Sequence, residues 1–260
     1  MTRVLITNDD SYDAEGLRQL VAKVSAWAEA VVVVPDRQKS GTGHAITLHH
    51  PLRLREFQPV GVGGRWYLVE GTPTDCVNLA LHSVMASSPP DLVLSGINHG
   101  LNLGDDVTYS GTVGAVLEGH LFGIPSIALS QQLEGDHDFA TTAAFASEML
   151  RGLLELGVAE DLLLNVNFPS GELGPVVATR LGRRVYREVV VEKTDPRGDA
   201  YYWLAGTPDW EGSPGTDHEA IGSGRTSVTP LQVDLTDHDG LDSLRRLVRR
   251  LASDRLLQPR

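Results

Sequence analysis

The sequence predicts an α/β fold in three layers, a mostly parallel sheet covered by helices on both faces, with a β-rich hairpin excursion and a C-terminal helix. Three observations predict it. Short apolar runs recur through the first two thirds of the chain, segments of helical periodicity separate them, and the pattern changes after Gly171. Strand–helix–strand repetition sets strands in parallel under covering helices. Runs without a polar face mark strands buried on both sides.

Val4-Leu5-Ile6 is the first expected strand. Between Glu15 and Ala28, Leu17, Leu20, Val21, Val24 and Trp27 fall three and four apart, on one helix face. Ala30 to Val34 is continuous and β-branched, a buried strand, and Asp91 to Ser95, Ile124 to Ser130 and Leu162 to Phe168 repeat that signature. Helices are expected over Asp75 to Met85, Thr112 to Leu121 and Thr141 to Leu156, with Gly123 and Pro125 stopping the second. His44 to Val69 alternates in character around Gly63-Gly64, as a hairpin does. From Gly171 to about Thr236 the chain is rich in Gly, Pro and charge, with strand-like patches at Val189-Val190-Val191 and Tyr201-Tyr202-Trp203. Leu241 to Leu257 sets leucines among arginines as an amphipathic helix that needs a partner surface. The expected organisation is a core over 1–170, a β-rich protruding region over 171–238 and a terminal helix over 239–260.

The 260 residues carry 22 basic and 34 acidic side chains, a formal charge of −12. Such a surface repels polyanions, which argues against a long nucleic acid as partner. Small phosphate esters remain compatible, because one metal ion or helix terminus reverses the local field. The single cysteine, Cys76, excludes an intrachain disulfide and a thiolate metal cluster, and reads as a packing residue. No run approaches the ~20 apolar residues that span a bilayer, and the opening MTRVLITNDD is too short and acidic for a signal-peptide apolar region. The expectation is a cytoplasmic protein with no membrane partner.

Open α/β sheets bind ligands at the carboxyl ends of their strands. Asn8-Asp9-Asp10 follows the first strand, DRQKSGTGH with Ser40 the second, and GINHGLNLGDDVTYSGT the strand ending at Ser95. Asp9 and Asp10 repel one another unless a positive charge lies near. A hard cation such as Mg²⁺ or Mn²⁺ supplies it and takes oxygen ligands, with Ser40 and Asn98 able to complete a half-shell. The competing reading is that the two aspartates cap the next helix. Ser110-Gly111-Thr112 opens a helix whose amides can hold a phosphate, with the Ser110 and Thr112 hydroxyls and the Asn102 amide as further donors. A plain N-cap at Ser110 accounts for the same residues. Asp105 and Asp106 fit a turn, or an orienting partner, better than metal ligation. His44, His49 and His50 read as unpaired surface or strand residues. Walker A, GxGxxG, GxSxG and HExxH are absent, and Asp9 and Asp10 are adjacent rather than in the DxD arrangement of aspartyl-phosphate enzymes.

The blocks VLITNDD, PDRQKSGTGHAIT, GTPTDCV, SGINHGLNLGDDVTYSGTVGAVLEG and LNVNFP resemble, in order and spacing, those of the survival protein SurE family. DPRGDAYYW and GTDHEAIGSGRTSVTPL resemble its later blocks, so the likeness runs from Arg3 to about Asp239. The resemblance implies a Rossmann-like core, a protruding hairpin region, and a C-terminal segment exchanged in a homodimer or homotetramer. It implies hydrolysis of nucleoside 5′- and 3′-monophosphates with one divalent cation per subunit, Mg²⁺ or Mn²⁺. Residue by residue, the metal ligands fall on Asp9, Asp10, Ser40 and Asn98, and phosphate binding on Ser110, Gly111 and Thr112 with Asn102 nearby. A metal-activated water would attack phosphorus, with Asp9 or Asp10 as proton acceptor. A covalent phosphatase using Ser40 or Ser110, and a nucleotide-binding module without activity, are the rival readings. One departure stands out: the family has glycine after the paired aspartates, and this chain has Ser11. Glycine at such a point marks an unusual backbone angle or a close approach. Serine there either adds a hydroxyl beside the metal or constrains the loop.

Overall fold

The computed structural model describes residues 1–157, 161–187, 190–204 and 207–253. The first half alternates strand and helix: β1 (Arg3–Thr7), α1 (Glu15–Val24), β2 (Glu29–Pro35), β3 (Leu54–Glu56), β4 (Arg65–Val69), α2 (Pro73–Leu79), β5 (Leu92–His99), α3 (Gly111–Leu121), β6 (Ser126–Gln131), α4 (Phe139–Glu155) and β7 (Leu163–Phe168). There follow β8 (Val176–Ala178), β9 (Arg183–Arg187), β10 (Val190–Thr194), β11 (Ala200–Leu204), β12 (Thr207–Glu211), α5 (Asp217–Gly222), β13 (Thr226–Pro230) and α6 (Leu241–Ser253). Val189 and residues 254–257 of the expected C-terminal helix lie outside the described residues.

One nine-stranded sheet runs β3-β4-β2-β1-β5-β6-β7-β13-β8. Its central pairings are parallel, while β3 and β13 enter antiparallel. The fold is thus α/β with a mostly parallel sheet, as the sequence predicts. β1 from Val4 to Ile6 and β2 from Ala30 to Pro35 are apolar and buried because both faces are covered. On one face Ile6, Val32 and Leu94 pack under α1 and α4 through Leu17, Leu20 and Leu150. On the other, Leu5, Val31 and Val93 meet Cys76, Val77 and Ala115. Cys76 is fully buried and burial pushes its thiol well up, in keeping with a packing role.

The boundaries differ from expectation for local reasons. α1 stops at Val24, and Trp27 packs from the following turn with its indole N–H on Ser147 Oγ at 2.8 Å. α2 starts two residues early, where Thr72 and Asp75 form a capping box with Pro73 at the first turn. Its last expected turns are a π-helical stretch over Ala80–Val84. The segment after 171 returns β8 and β13 to the main sheet, while β10–β11 and β12–β9 form two separate antiparallel pairs. Among the described residues no helix is long and apolar enough to cross a membrane.

β5 carries a register shift against β6 between Ser95 and Asn98. α1 crosses close beneath it: a Cβ on Gly16 would stand 2.2 Å from the Ile97 carbonyl oxygen. Gly16→Ala is therefore expected to force α1 away from β5 at a cost of about 1–3 kcal/mol. Thermal unfolding should show Tm lowered by several degrees; an unchanged Tm would refute this packing constraint.

Candidate active site

β2, β1 and β5 are neighbours, so their carboxyl ends bring three loops to one edge. Asp9 is 4 % exposed, and its backbone carbonyl accepts the Lys39 N–H at 2.7 Å, tying the loop after β1 to that after β2. Asp10 Oδ2 accepts the His99 backbone N–H at 2.8 Å, tying it to β5. The Gln38 side-chain amide donates to Ser40 Oγ at 3.0 Å and reaches Asp10 Oδ1 at 3.5 Å. Asn98 Nδ2 donates to the Gly100 carbonyl at 2.8 Å, so its Oδ1 is the atom left to accept or ligate. Asp9, Asp10, Ser40 and Asn98 thus share one edge. The capping alternative fails: α1 is entered through Ala14, without a side-chain cap.

α3 enters the same edge. The Thr112 hydroxyl donates to Asp9 Oδ1 at 2.6 Å, and the Thr112 backbone amide also favours the charged carboxylate. Gly111 makes this approach possible, since a Cβ there would lie 3.0 Å from Asp9 Oδ2. Even so, burial pushes Asp9 up from 3.8 to about 6, with the Asp10 charge adding to it against the pull of Thr112. Two carboxylates are therefore held together with less compensation than their charge requires. Among the described residues no group of three His, Cys, Asp and Glu could hold a metal. The oxygen set of two carboxylates, a hydroxyl and an amide suits a hard, partly hydrated divalent cation instead.

The other expected residues divide. Ser110 is the N-cap of α3, its Oγ accepting Val113 N–H at 3.1 Å. Gly111 and Thr112 bring the helix N-terminus to Asp9. Asn102 lies in the same loop, but its Nδ2 donates to Ser130 Oγ at 2.8 Å and its carbonyl accepts from both Asn165 and Asn167. Asn102 therefore anchors the loop to the ends of β6 and β7. Asp105 accepts Arg184 N–H and Asp106 pairs with the Arg184 guanidinium, an orienting role rather than a ligating one. His44, expected to be unpaired, meets Glu118 Oε2 at 2.6 Å, while His49 and His50 are exposed. Sequence reasoning missed Gln38, His99 and Asp217. The last is fully buried, accepting N–H groups from Gly104, Gly182 and His218 at 2.8 Å each.

Ser11 stands where the resemblance implies glycine. Its φ is +82°, left-handed, and it is buried. Its hydroxyl faces the Pro35 carbonyl at 3.4 Å, so the residue constrains the loop.

Fold and site together define a parallel-sheet α/β protein with an acidic, oxygen-rich centre facing a helix N-terminus. The family model "Survival protein SurE" matches residues 4–188, and the chain belongs to this family. It is 47 % identical over 250 residues to 5′-nucleotidase SurE of Citrifermentans bemidjiense, covering 94 % of this chain and 98 % of that one. It is 46 % identical over 247 residues to 5′-nucleotidase SurE of Vibrio parahaemolyticus, covering 93 % of each. The crystal structure of the SurE protein from Aquifex aeolicus matches with a TM-score of 0.81 at 39 % identity, over 94 % of this chain and 99 % of that one.

Two outcomes are expected. In metal-free buffer the folded protein holds the Asp9 proton until about pH 6, whereas the unfolded chain releases it near 3.8. Between those values the folded state binds more protons, so this group's contribution to stability falls as pH rises and stays low above pH 6, by about 3 kcal/mol. Relative to Asp9→Asn, wild type should lose Tm between pH 4.5 and 7.5; a pH-independent difference would contradict the assignment. Ser11→Gly relieves a left-handed strain of roughly 1–2 kcal/mol against roughly 0.5–1 kcal/mol of added chain entropy. Tm should rise by about 2 °C, and a fall would show that the hydroxyl matters more than the backbone.

Proposed function

We propose that this chain is a divalent-cation-dependent phosphomonoesterase that hydrolyses nucleoside 5′- and 3′-monophosphates by direct attack of water. The observation that carries this reading is the contact of Asp9 with the N-terminus of α3, which puts a carboxylate pair and an anion-accepting helix end on one edge of the sheet. Names of relatives such as 5′-nucleotidase SurE support the choice of substrate.

Asp9, Asp10, Ser40 and Asn98 would hold the cation. When bound it supplies the positive charge that keeps both carboxylates ionised, together with Lewis acidity toward phosphate and water; Mg²⁺ and Mn²⁺ fit the oxygen set. Asp10 is the better-placed proton acceptor, because the His99 amide fixes its Oδ2 while Asp9 is engaged by Thr112. The N-terminus of α3 at Gly111 and Thr112 would face the phosphoryl oxygens as their charge redistributes. Asn102 contributes by holding the intervening loop. Ser110 is a poor nucleophile, being 7 % exposed with its Oγ committed to Val113. The exposed apolar residues of α6 (Leu244, Leu247, Val248) and of β11 (Tyr202, Trp203) support association with a second copy, as a homodimer or homotetramer.

Phosphate release should be measured across nucleoside monophosphates with Mg²⁺, Mn²⁺ or chelator. Hydrolysis should require the cation, and Asp10→Asn should lower kcat/KM by at least about 100-fold. Chelator-insensitive hydrolysis, or a phosphoenzyme on Ser40 or Ser110, would overturn the mechanism.

A further inference from the structure

A second cleft, of about 510 Å³, opens beside the candidate catalytic edge. It is lined by Gly100, Leu101 and Leu103 of the loop after β5, by Gln132, Leu133 and Glu134 after β6, and by Asp106, Arg184, Trp210, His218, Ile221 and Gly222. It starts two residues from Asn98, and the Gly100 carbonyl that accepts the Asn98 amide belongs to its lining.

The lining at Trp210 and His218 is built rather than incidental. The Trp210 indole and His218 imidazole are stacked at 4.2 Å between centroids and 13° between planes. The Arg184 guanidinium lies 5.4 Å from the Trp210 ring centre. Trp210 also rests on the loop itself, where a Cβ on Gly104 would come within 2.9 Å of its Cζ3. Buried Asp217 holds the same corner by accepting N–H groups from Gly104, Gly182 and His218. Burial pushes the His218 imidazole down and Arg184 adds to it, against the pull of Asp217, so the ring offers a neutral face at neutral pH.

The lining also includes the apolar Leu133, 39 % exposed. The rim is polar on two counts. Gln132 Oε1 accepts from Ser170, which leaves its Nε2 as a donor, and Glu134 offers a carboxylate acceptor. A planar heterocycle with an apolar face and an edge of mixed donors and acceptors matches this lining. The other cleft at this edge, of about 550 Å³, is lined instead by Asp10, Asp13, Glu15 and Asp36, with Tyr12 as its one aromatic besides His99.

We infer that the cleft lined by Leu133 and the Trp210–His218 stack is the nucleobase subsite, seating the base of a nucleoside monophosphate whose phosphate lies at the Asp9–α3 edge. This rests on the nucleotidase reading above and adds to it the residues that select a nucleoside over a bare sugar phosphate. Stacking of a base on such a wall is worth about tenfold or more in binding.

The test compares kcat/KM for adenosine 5′-monophosphate and for ribose 5-phosphate, the same ester without its base. In wild type the nucleotide should be favoured. His218→Ala, and separately Leu133→Ala at the partly exposed lining residue after β6, should each reduce that ratio about tenfold. A ratio unchanged in both variants, or one that falls only in Tyr12→Ala at the acidic cleft, would overturn the assignment while leaving the nucleotidase reading intact. If wild type hydrolysed neither ester, the nucleotidase reading would fail. Titration of adenosine 5′-monophosphate would then decide the subsite: about tenfold weaker binding in the two variants supports it, and equal binding overturns it.

Discussion

The hydrogen bond from Thr112 to Asp9 joins the end of the central strand to the start of α3, and most of the site depends on it. A carboxylate buried to this degree is costly to ionise, and its neighbour Asp10 makes it more so. The Thr112 hydroxyl and amide offset part of that cost, which fixes α3 against β1. Gly111 lets the helix approach, and Gly114 lets the glycine-rich loop after β2 pass over it, since a Cβ there would stand 2.5 Å from the Gly43 carbonyl oxygen. The remaining uncompensated charge is what a divalent cation would balance. The same feature that makes the carboxylate pair costly to ionise is the ground for proposing a cation among Asp9, Asp10, Ser40 and Asn98.

The loop from β5 to α3 is held from both ends. Asn102 engages Ser130, Asn165 and Asn167 across the ends of β6 and β7. Asp217, on the first turn of α5, holds Gly104 and Gly182 together. A carboxylate that accepts several backbone N–H groups forms strong, charge-assisted bonds. The β-rich region is therefore mechanically coupled to the candidate catalytic edge through α5 and the β9–β12 pair, beyond its contribution of β8 and β13 to the main sheet.

Much of the core was legible in the sequence because strands buried on both faces leave uninterrupted apolar runs, as at Val31 to Val34. Placing polar loops at strand ends was enough to find Asp9, Asp10, Ser40 and Asn98 on one edge. Helix ends were less legible: Trp27 has helical spacing but packs from a turn, and the π-helical stretch after Leu79 leaves no trace in the apolar pattern. Asn102 was expected at the phosphate because its loop is there, yet its side chain turns toward Ser130. Asp217 was missed because its partner Gly104 is 113 positions away, beyond the reach of any local pattern. The Thr216-Asp217 helix start was the available signal, with Thr216 as N-cap, but it marks a cap without showing what the aspartate holds. At Ser11 the sequence left open an unusual backbone angle or a close approach, and the structure shows a φ of +82°.

The most direct test of the account is calorimetric titration of Mn²⁺ into metal-free wild type and Asp10→Asn at neutral pH. The account predicts binding by wild type that is abolished or severely weakened in Asp10→Asn, with the variant's fold retained. Equal binding by both proteins would contradict a metal centre built on the aspartates at the end of β1.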